Sequence, residues 1–267
     1  MKASPVFRSG AAPAVAPATL YPLADIHPVG ILGGMGPAAG VDFIRLFLGA
    51  CESFLRERDV PIADQSFPEH WLAQIPVVDR SRALLDEDAP QPLEELERAL
   101  SQLTAVGACA VAIACNTAHA WHEVLQSNCK DVELLHIARE TAARLRDDGV
   151  DVAVLLATQG TYRTRLYQDA FDACGIRCIL PSPQEQQTLM EGIFNGVKAG
   201  RLDLARELFG GVGRALYRRH GALPMVMACT EIPLALPFVE EARDWTLIDP
   251  ADVLAHALVL RAYGVEK

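Results

Sequence analysis

The sequence predicts an α/β protein of two pseudosymmetric α/β domains, each with a parallel-rich sheet flanked by helices, and with the active site in the interdomain cleft. The first observation is that short apolar runs alternate with amphipathic helical segments, a pattern typical of parallel sheets covered by helices. The second is that two of these runs, residues 109–114 and 223–228, end at Cys115 and Cys229, 114 positions apart, each followed by polar side chains. Ligands bind at the carboxyl ends of strands in open α/β sheets, so the repeated unit predicts two similar halves facing one cleft.

The individual elements follow from apolar runs for strands and from helical spacing of apolar residues for helices. The expected strands are residues 29–32, 60–66, 109–114, 132–136, 152–157, 176–180, 225–228 and 245–248. The expected helices are residues 38–58, 93–106, 118–127, 137–148, 162–174, 183–198, 202–220 and 250–263. Residues 67–88 contain two prolines and several charges, and a loop of this length is usually functional.

The domain organisation is drawn from the same pattern. Residues 1–27 are rich in Ala and Pro without a sustained apolar run, so a disordered tail is expected there. Residues 28–131 together with 245–267 form the first predicted domain, and residues 132–244 form the second.

Composition limits the possible functions. The chain has 267 residues, of which 51% are hydrophobic, and its net charge is −10, which argues against nucleic-acid binding as the main activity. The longest apolar runs of about eight residues are far shorter than a membrane span needs, so no membrane partner is expected.

The cysteines and histidines do not form a pattern that binds metal. Seven cysteines, an odd number without a CxxC pair, predict free thiols in a reducing compartment, which we take to be the cytoplasm. His119 and His122 have no further ligand at a useful spacing, so no metal site is predicted. We expect His119 to be a polar partner near the site and His122 to lie at the surface.

Two thiols on opposite walls of a cleft are suited to one reaction in particular. One thiolate can take a proton from one face of a carbon while the other thiol returns a proton to the opposite face, which inverts a stereocentre without a cofactor. Cys115 and Cys229 are the candidates because each stands at the end of an apolar run and precedes hydroxyl or amide side chains.

The chain resembles the aspartate/glutamate racemase superfamily, and within it the aspartate racemase branch. The matching segments occur in the family's order over nearly all of residues 29–250: GILGGMGP (30–37), IPVVDRS (75–81), CNTAH (115–119), LLHI (134–137), ATQGTYRTRLY (157–167) and CTEIP (229–233). Dedicated glutamate racemases instead carry an Asp-Ser-Gly type motif after the first strand and a histidine two positions after the second cysteine, where this chain has Glu231. The resemblance implies catalytic roles for Cys115 and Cys229, no pyridoxal phosphate or metal, a small amino-acid substrate and a homodimer.

Substrate contacts can be predicted from the chemistry of an acidic amino acid. Its carboxylates require arginines and N–H donors, and Arg80 in the long loop and Arg163 after the 158–161 turn are the candidates. By resemblance, Arg80 falls on the family's substrate-binding arginine, although its loop is two residues longer than usual, and Arg163 falls where aspartate racemases usually carry lysine. The remaining predicted substrate-binding residues are Met35, Gly36, Asn116, Thr117, Thr230 and Glu231, the last of which is also expected to tune or orient Cys229.

The functional prediction is therefore a cofactor-independent racemase of aspartate and/or glutamate that works by two-base proton transfer. Three alternatives stay open. The scaffold could serve a broad-specificity racemase of neutral amino acids, an isomerase of small dicarboxylic acids, or a catalytically silent amino-acid-binding relative.

Overall fold

A computed structural model describes residues 26–265, and within this range the chain forms two parallel sheets of four strands each. The first sheet contains β1 (Val29–Gly33), β2 (His70–Gln74), β3 (Ala110–Ile113) and β4 (Glu133–Leu134), in the order β2-β1-β3-β4. Every residue of β1 and β3 is buried, which explains why both appear in the sequence as continuous apolar runs.

The second sheet repeats this arrangement. It contains β5 (Val152–Ala157), β6 (Arg177–Ile179), β7 (Met225–Ala228) and β8 (Leu247–Ile248), in the order β6-β5-β7-β8. Each strand pair in both sheets is parallel, and β3 and β7 occupy the equivalent position beside the first strand of their sheet. This equivalence places the residues after β3 and after β7 in corresponding positions, as the sequence predicts for Cys115 and Cys229.

Helices flank both sheets and connect the parallel strands. Their bounds are α1 (Pro37–Glu57), α2 (Arg80–Leu85), α3 (Leu93–Ala105), α4 (His122–Asn128), α5 (Ile137–Asp147), α6 (Gln159–Arg163), α7 (Leu166–Ala173), α8 (Pro183–Glu191), α9 (Leu202–His220) and α10 (Pro250–Ala262). A 3-10 turn, Thr117–Trp121, precedes α4, and a π-helical turn, Gly192–Val197, extends α8. The predicted α/β fold with parallel sheets flanked by helices is confirmed.

One hydrophobic core contains side chains from both sheets. The last helix, α10, packs against α1 and α5 and against β3. Buried residues of α1, β3, β5 and α10, among them Phe43, Ala112, Leu155 and Leu258, belong to the same apolar cluster. Burial of this shared apolar surface holds the two halves together.

The second strand of the first sheet lies outside the segment predicted for it. The strand expected at residues 60–66 is wrong, because residues 60–63 are irregular and Asp64–Ser66 is a 3-10 turn. The true strand, β2, lies within the predicted loop 67–88, which also contains α2. An edge strand has one unpaired side and one exposed face, so β2 (HWLAQ) has no continuous apolar run to identify it.

Two short strands belong to the half opposite to the one predicted. β4 pairs with β3 in the first sheet, although residues 132–136 were assigned to the second domain. β8 pairs with β7 in the second sheet, although residues 245–248 were assigned to the first. Each sheet ends at a two-residue edge strand that pairs with its cysteine-bearing strand. Both strands fall within predicted segments, but such short pairings leave little sequence signal of which sheet they join.

The structure tests the predicted disordered tail only at its last two residues, 26 and 27. Residues 1–25 of the expected disordered tail lie outside the described residues. Ile26 packs against the core, and the His27 backbone N–H donates to Ala262 O over 2.7 Å, so the tail prediction is wrong for these two residues. No helix within residues 26–265 is long and apolar enough to cross a membrane.

Candidate active site

A pocket forms where the carboxyl ends of strands from both sheets come together. Residues that directly follow β3, β5 and β7 contribute to its wall, as does the turn after β1. Its empty space, including the opening to solvent, amounts to about 340 Å³. The lining residues are Met35, Asp79, Arg80, Ser81, Cys115, Asn116, Thr117, Thr158, Phe194, Lys198, Cys229, Thr230 and Glu231.

The turn after β1 brings Met35 into this pocket. Gly34 has a φ of 94°, and a side chain there would collide with the backbone of Ile75. Met35 is only 2% exposed, and Gly36 caps the start of α1 with Pro37 as the first helical residue. Gly36 itself lines a neighbouring depression, about 740 Å³ including its open side, that shares Met35, Arg80, Lys198 and Glu231 with the pocket.

The two cysteines both line the pocket, and both are almost buried. Each is 5% exposed, and all seven cysteines of the chain are free thiols. Burial, followed by the charge of Glu231, raises the pKa of the Cys229 thiol well above its usual value. Cys229 is therefore strongly biased toward the protonated thiol.

Glu231 connects Cys229 with a cation at the pocket wall. The Cys229 thiol donates to Glu231 Oε2 over 3.1 Å, and the Thr230 hydroxyl donates to the same oxygen over 3.2 Å. Lys198 Nζ lies 3.8 Å from Glu231 Oε1 and 4.6 Å from the centroid of the Phe194 ring. Glu231 is 6% exposed, so little water screens these interactions.

Arg80 begins α2 and reaches across to the turn after β1. Its guanidinium donates to Val77 O over 3.1 Å, to Val78 O over 2.9 Å and to Met35 O over 2.5 Å. The side chain is 8% exposed, and Nε finds no hydrogen-bond partner within residues 26–265. A buried N–H without an acceptor is costly, so this donor is available to an anionic ligand.

Amide and hydroxyl side chains follow Cys115. Asn116 accepts a hydrogen bond from the Tyr167 hydroxyl at Oδ1, whereas its buried Nδ2 has no partner in the described part of the chain. The Thr117 hydroxyl lies 3.0 Å from that of Thr158 and 3.1 Å from that of Thr161, which ties the loop after β3 to the start of α6.

A histidine supports the loop that carries Cys115. His119 is 2% exposed, and its Nδ1 lies 2.9 Å from Cys115 O, so Nδ1 carries the hydrogen in this contact. Burial lowers the pKa of His119 to about 4, which keeps the ring neutral. His119 is thus the polar partner near the site that the sequence predicts.

The surface position predicted for His122 is wrong. The ring is 5% exposed, and Nε2 lies 2.6 Å from Leu134 O because the segment turns as a 3-10 helix before α4 begins. No group of three or more His, Cys, Asp or Glu side chains within the described residues is arranged to hold a metal ion.

The pocket brings together most of the predicted site residues. Met35, Arg80, Cys115, Asn116, Thr117, Cys229, Thr230 and Glu231 all line it. Arg163 lies elsewhere: its side chain is exposed, and Nη1 donates to Leu85 O over 3.3 Å. The inward face of the short helix α6 consists of Gly160, Thr161 and Tyr162, so Arg163 does not line the pocket and its role in substrate binding stays a prediction.

Several pocket residues were not found from the sequence, and Lys198 is the most consequential of them. It follows the π-helical turn after α8, about thirty residues before Cys229 in sequence, without a local motif. One signal was present, since Lys198 is one of only four lysines in a chain rich in arginine. Asp79, Ser81, Thr158 and Phe194 also line the pocket and were not singled out.

This arrangement provides two thiols, two cations, two carboxylates and N–H donors without partners among the described residues in one pocket. The thiols can move protons, and the donors of Arg80 and Asn116 can bind and stabilise a carboxylate. Such a set is suited to proton transfer at a carbon next to a carboxylate.

Comparison with known proteins places this chain in a family. A family model described as Asp/Glu/Hydantoin racemase matches residues 32–258. The chain is 24% identical over 238 residues to the broad specificity amino-acid racemase RacX of Bacillus subtilis, covering 86% of this chain and 96% of that protein.

Solved structures agree with this assignment. An aspartate racemase of Picrophilus torridus is 26% identical, with a TM-score of 0.75 over 90% of this chain and 95% of that one. The fold is also shared with a glutamate racemase isoform, RacE1, of Bacillus anthracis, which is 16% identical with a TM-score of 0.54 over 90% of this chain and 84% of that one. The chain therefore belongs to the Asp/Glu/hydantoin racemase family and is an isomerase of the amino-acid racemase type.

Proposed function

We propose that this protein racemises aspartate and/or glutamate by two-base proton transfer between Cys115 and Cys229. The observation that carries the proposal is that these two cysteines follow equivalent strands of the two sheets and line the same pocket. The similarity to an aspartate racemase of Picrophilus torridus supports the choice of substrate.

The proposed reaction balances without any further group. A thiolate removes the proton from Cα and becomes a thiol, while the electron pair of the C–H bond delocalises into the α-carboxylate. The opposite thiol then delivers its proton to the other face of Cα and becomes a thiolate. In the reverse direction the two cysteines exchange roles, as microscopic reversibility requires.

Negative charge grows on the α-carboxylate when Cα loses its proton, so donors aimed at that carboxylate accelerate the reaction. Asn116 Nδ2 is the first such donor in this proposal, because it is buried and lacks a partner among the described residues. Thr117 and Thr230 contribute hydroxyls nearby, and the backbone of Met35 and Gly36 allows a close approach to the ligand.

The side-chain carboxylate of an acidic substrate is assigned to the two cations. Arg80 offers its Nε–H, which has no partner within residues 26–265, and Lys198 offers an ammonium at the same wall. Aspartate and glutamate would thus be held at both ends, with Cα between the thiols.

Glu231 gives the two thiols different resting states in this proposal. Its carboxylate accepts the hydrogen of Cys229, so the thiol form of Cys229 is favoured before substrate binds. Thr117 occupies the corresponding place after Cys115 in the sequence. The resting protein would therefore hold Cys229 ready to donate a proton.

Racemisation of neutral amino acids is the second candidate. The Lys198 ammonium already pairs with Glu231 and contacts the Phe194 ring. Arg80 would then be the main anchor for a single substrate carboxylate. The similarity to a broad specificity amino-acid racemase of Bacillus subtilis favours the same candidate. Isomerisation of a dicarboxylic acid and silent amino-acid binding are the other outcomes that an assay must separate.

A substrate panel tests the proposal. The purified protein is incubated with each enantiomer of aspartate, glutamate, alanine and lysine, and the opposite enantiomer is quantified by chiral chromatography. Inversion of aspartate or glutamate at least tenfold faster than of alanine is expected. Faster inversion of neutral amino acids would establish the second candidate, and binding without inversion of any amino acid would refute racemisation.

The homodimer implied by the resemblance and the cytoplasmic location inferred from the unpaired cysteines form part of the same proposal. Sedimentation equilibrium of the purified protein would reveal a mass near twice the 28.9 kDa of the chain if the dimer is correct, and a mass near 28.9 kDa if it is not.

A further inference from the structure

The side-chain amide of Asn116 lines the pocket. Its oxygen is hydrogen-bonded, whereas its nitrogen has no partner among the described residues. Asn116 is 2% exposed and directly follows Cys115. Its Oδ1 accepts from the Tyr167 hydroxyl, and its Nδ2 has no partner within the described range of the chain. A buried donor without an acceptor is unfavourable, so this N–H group is positioned for a ligand oxygen rather than for the protein itself.

The two ends of an asparagine amide have nearly the same shape, so packing alone does not decide which end faces the substrate. A carboxylate ligand requires the NH₂ end, since two oxygens facing each other would repel. Some neighbouring group must therefore hold Oδ1 away from the substrate.

Tyr167 is that neighbour, and it comes from the other half of the molecule. It lies on α7, is fully buried, and packs its ring edge-on against Phe171 with centroids 5.8 Å apart. The hydroxyl reaches Asn116, 51 positions away in sequence. The buried ring fixes the hydroxyl oxygen beside Asn116 Oδ1.

The direction of this bond follows from its acceptor, because Asn116 Oδ1 carries no hydrogen and can only accept from the Tyr167 hydroxyl. Burial raises the pKa of Tyr167 well above its usual value, which favours the protonated hydroxyl. Tyr167 therefore remains a donor.

We propose that Tyr167 is a positioning residue whose hydroxyl holds Asn116 Oδ1 so that Asn116 Nδ2 faces the α-carboxylate of the substrate. This inference rests on the proposed racemase function. Because the carboxylate gains charge as Cα is deprotonated, loss of the fixed amide lowers the rate as well as the affinity.

The test is a double-mutant cycle between Tyr167 and Asn116. Tyr167→Phe is expected to lower kcat/KM about tenfold, which corresponds to about 1.4 kcal/mol. Asn116→Ala is expected to lower it at least as far, and the double variant no further than Asn116→Ala alone. Tyr263→Phe is the matched control, because that buried tyrosine donates to Ser66 O over 2.8 Å and does not line the pocket.

Two results would overturn the positioning role. One is a kcat/KM for Tyr167→Phe within twofold of that of Tyr263→Phe, and the other is additive losses in the double variant. If Tyr167→Phe is too unstable to assay, Asn116→Asp replaces it: this side chain still accepts from Tyr167 but offers no N–H, so activity as low as that of Asn116→Ala is expected. Activity above half of wild type in Asn116→Asp would contradict the proposal.

A spectroscopic measurement separates this proposal from the racemase function itself. The side-chain NH₂ signals of Asn116, assigned by their loss in Asn116→Ala, are compared in ¹H–¹⁵N spectra of the ligand-free protein. Tyr167→Phe should shift them and Tyr263→Phe should not, even if the wild type racemises no amino acid. Unchanged signals in Tyr167→Phe would refute the contact, whereas inactivity of the wild type alone would refute only the proposed function.

Discussion

The thiol of Cys229 donates a hydrogen bond to Glu231 Oε2 over 3.1 Å, and Thr117 stands at the corresponding place after Cys115. The two halves of the fold are equivalent in strand order, yet their cysteines differ in electrostatic environment. A racemase needs one thiol and one thiolate at a time, so the hydrogen bond from Cys229 to Glu231, which Thr117 cannot reproduce after Cys115, distinguishes the two sulfurs before the substrate arrives.

Replacement of this carboxylate should make Cys229 more acidic. In Glu231→Gln the nearby negative charge is lost, and the pH midpoint for alkylation of Cys229 by iodoacetamide should fall by about one unit or more. Mass spectrometry of Cys229 peptides across a pH series measures this midpoint. Glu185→Gln is the control, since Glu185 pairs with Arg219 and does not line the pocket. An unchanged midpoint in Glu231→Gln would show that the carboxylate does not govern Cys229.

Replacement of Arg80 should lower activity strongly, whereas replacement of Arg163 should not. Arg80→Met removes three hydrogen bonds to backbone carbonyls and an unpaired donor of the pocket, so kcat/KM for aspartate should fall by about 10²-fold or more. Arg163→Met removes an exposed side chain that contacts Leu85 O, and activity within twofold of wild type is expected. Steady-state kinetics of both variants decide between the predicted role of Arg163 and its observed position. A large loss in Arg163→Met would mean that it reaches the substrate after all.

Lys198 should matter more for acidic than for neutral substrates. Lys198→Met is expected to raise KM for aspartate about tenfold, because a cation at the wall of the pocket is lost, while KM for alanine stays within threefold. Lys130→Met, which removes an exposed lysine, is the control. Equal effects on aspartate and alanine would indicate that Lys198 serves only to hold Glu231 and Phe194.

Asp249 should make the protein less stable as the pH rises. It caps α10 by accepting from Ala251 N over 2.9 Å, and burial raises its pKa from 3.8 to about 7. Between pH 4 and pH 7 the folded state therefore keeps a proton that the unfolded state releases, so this group lowers the free energy of unfolding progressively over that window.

Asp249→Asn preserves an oxygen for the cap and does not titrate. Its free energy of unfolding relative to wild type should increase from pH 4 to pH 7 by up to about 1 kcal/mol per pH unit, and then level off. Urea denaturation at a series of pH values measures the difference, with Asp203→Asn at a 99% exposed side chain as the control. A difference that does not change with pH would mean that Asp249 titrates normally in the folded state.

Sequence patterns were sufficient for the buried strands and for the two cysteines. β1, β3, β5 and β7 are almost wholly buried, so their apolar runs and the polar residues that end them can be recognised in the sequence. The fold and the positions of Cys115 and Cys229 at strand ends follow from that signal.

The rest depends on tertiary contacts that leave no local pattern. β2 is a half-exposed edge strand, and although β4 and β8 fall within predicted strands, only their pairing partners show which sheet each one joins. Lys198 lines the pocket from the end of a π-helical turn, and Arg163 lies on the exposed side of α6 because Gly160, Thr161 and Tyr162 form its buried side. The spacing of residues in the sequence does not reveal which of these side chains face the pocket.

Isotope exchange in single-cysteine variants tests the two-base proposal most directly. Because the equilibrium constant of racemisation is one, kcat/KM is the same in both directions, and only exchange without inversion separates the roles of the two sulfurs. Each enantiomer of aspartate is incubated in D₂O with Cys115→Ser or Cys229→Ser, and both α-deuteration and enantiomer composition are followed by NMR and chiral chromatography.

We expect each variant to deuterate one enantiomer only, a different one in each case, and to invert neither at more than about 10⁻³ of the wild-type rate. Inversion by either variant at a rate near that of wild type, or exchange of the same enantiomer by both, would contradict proton transfer between Cys115 and Cys229.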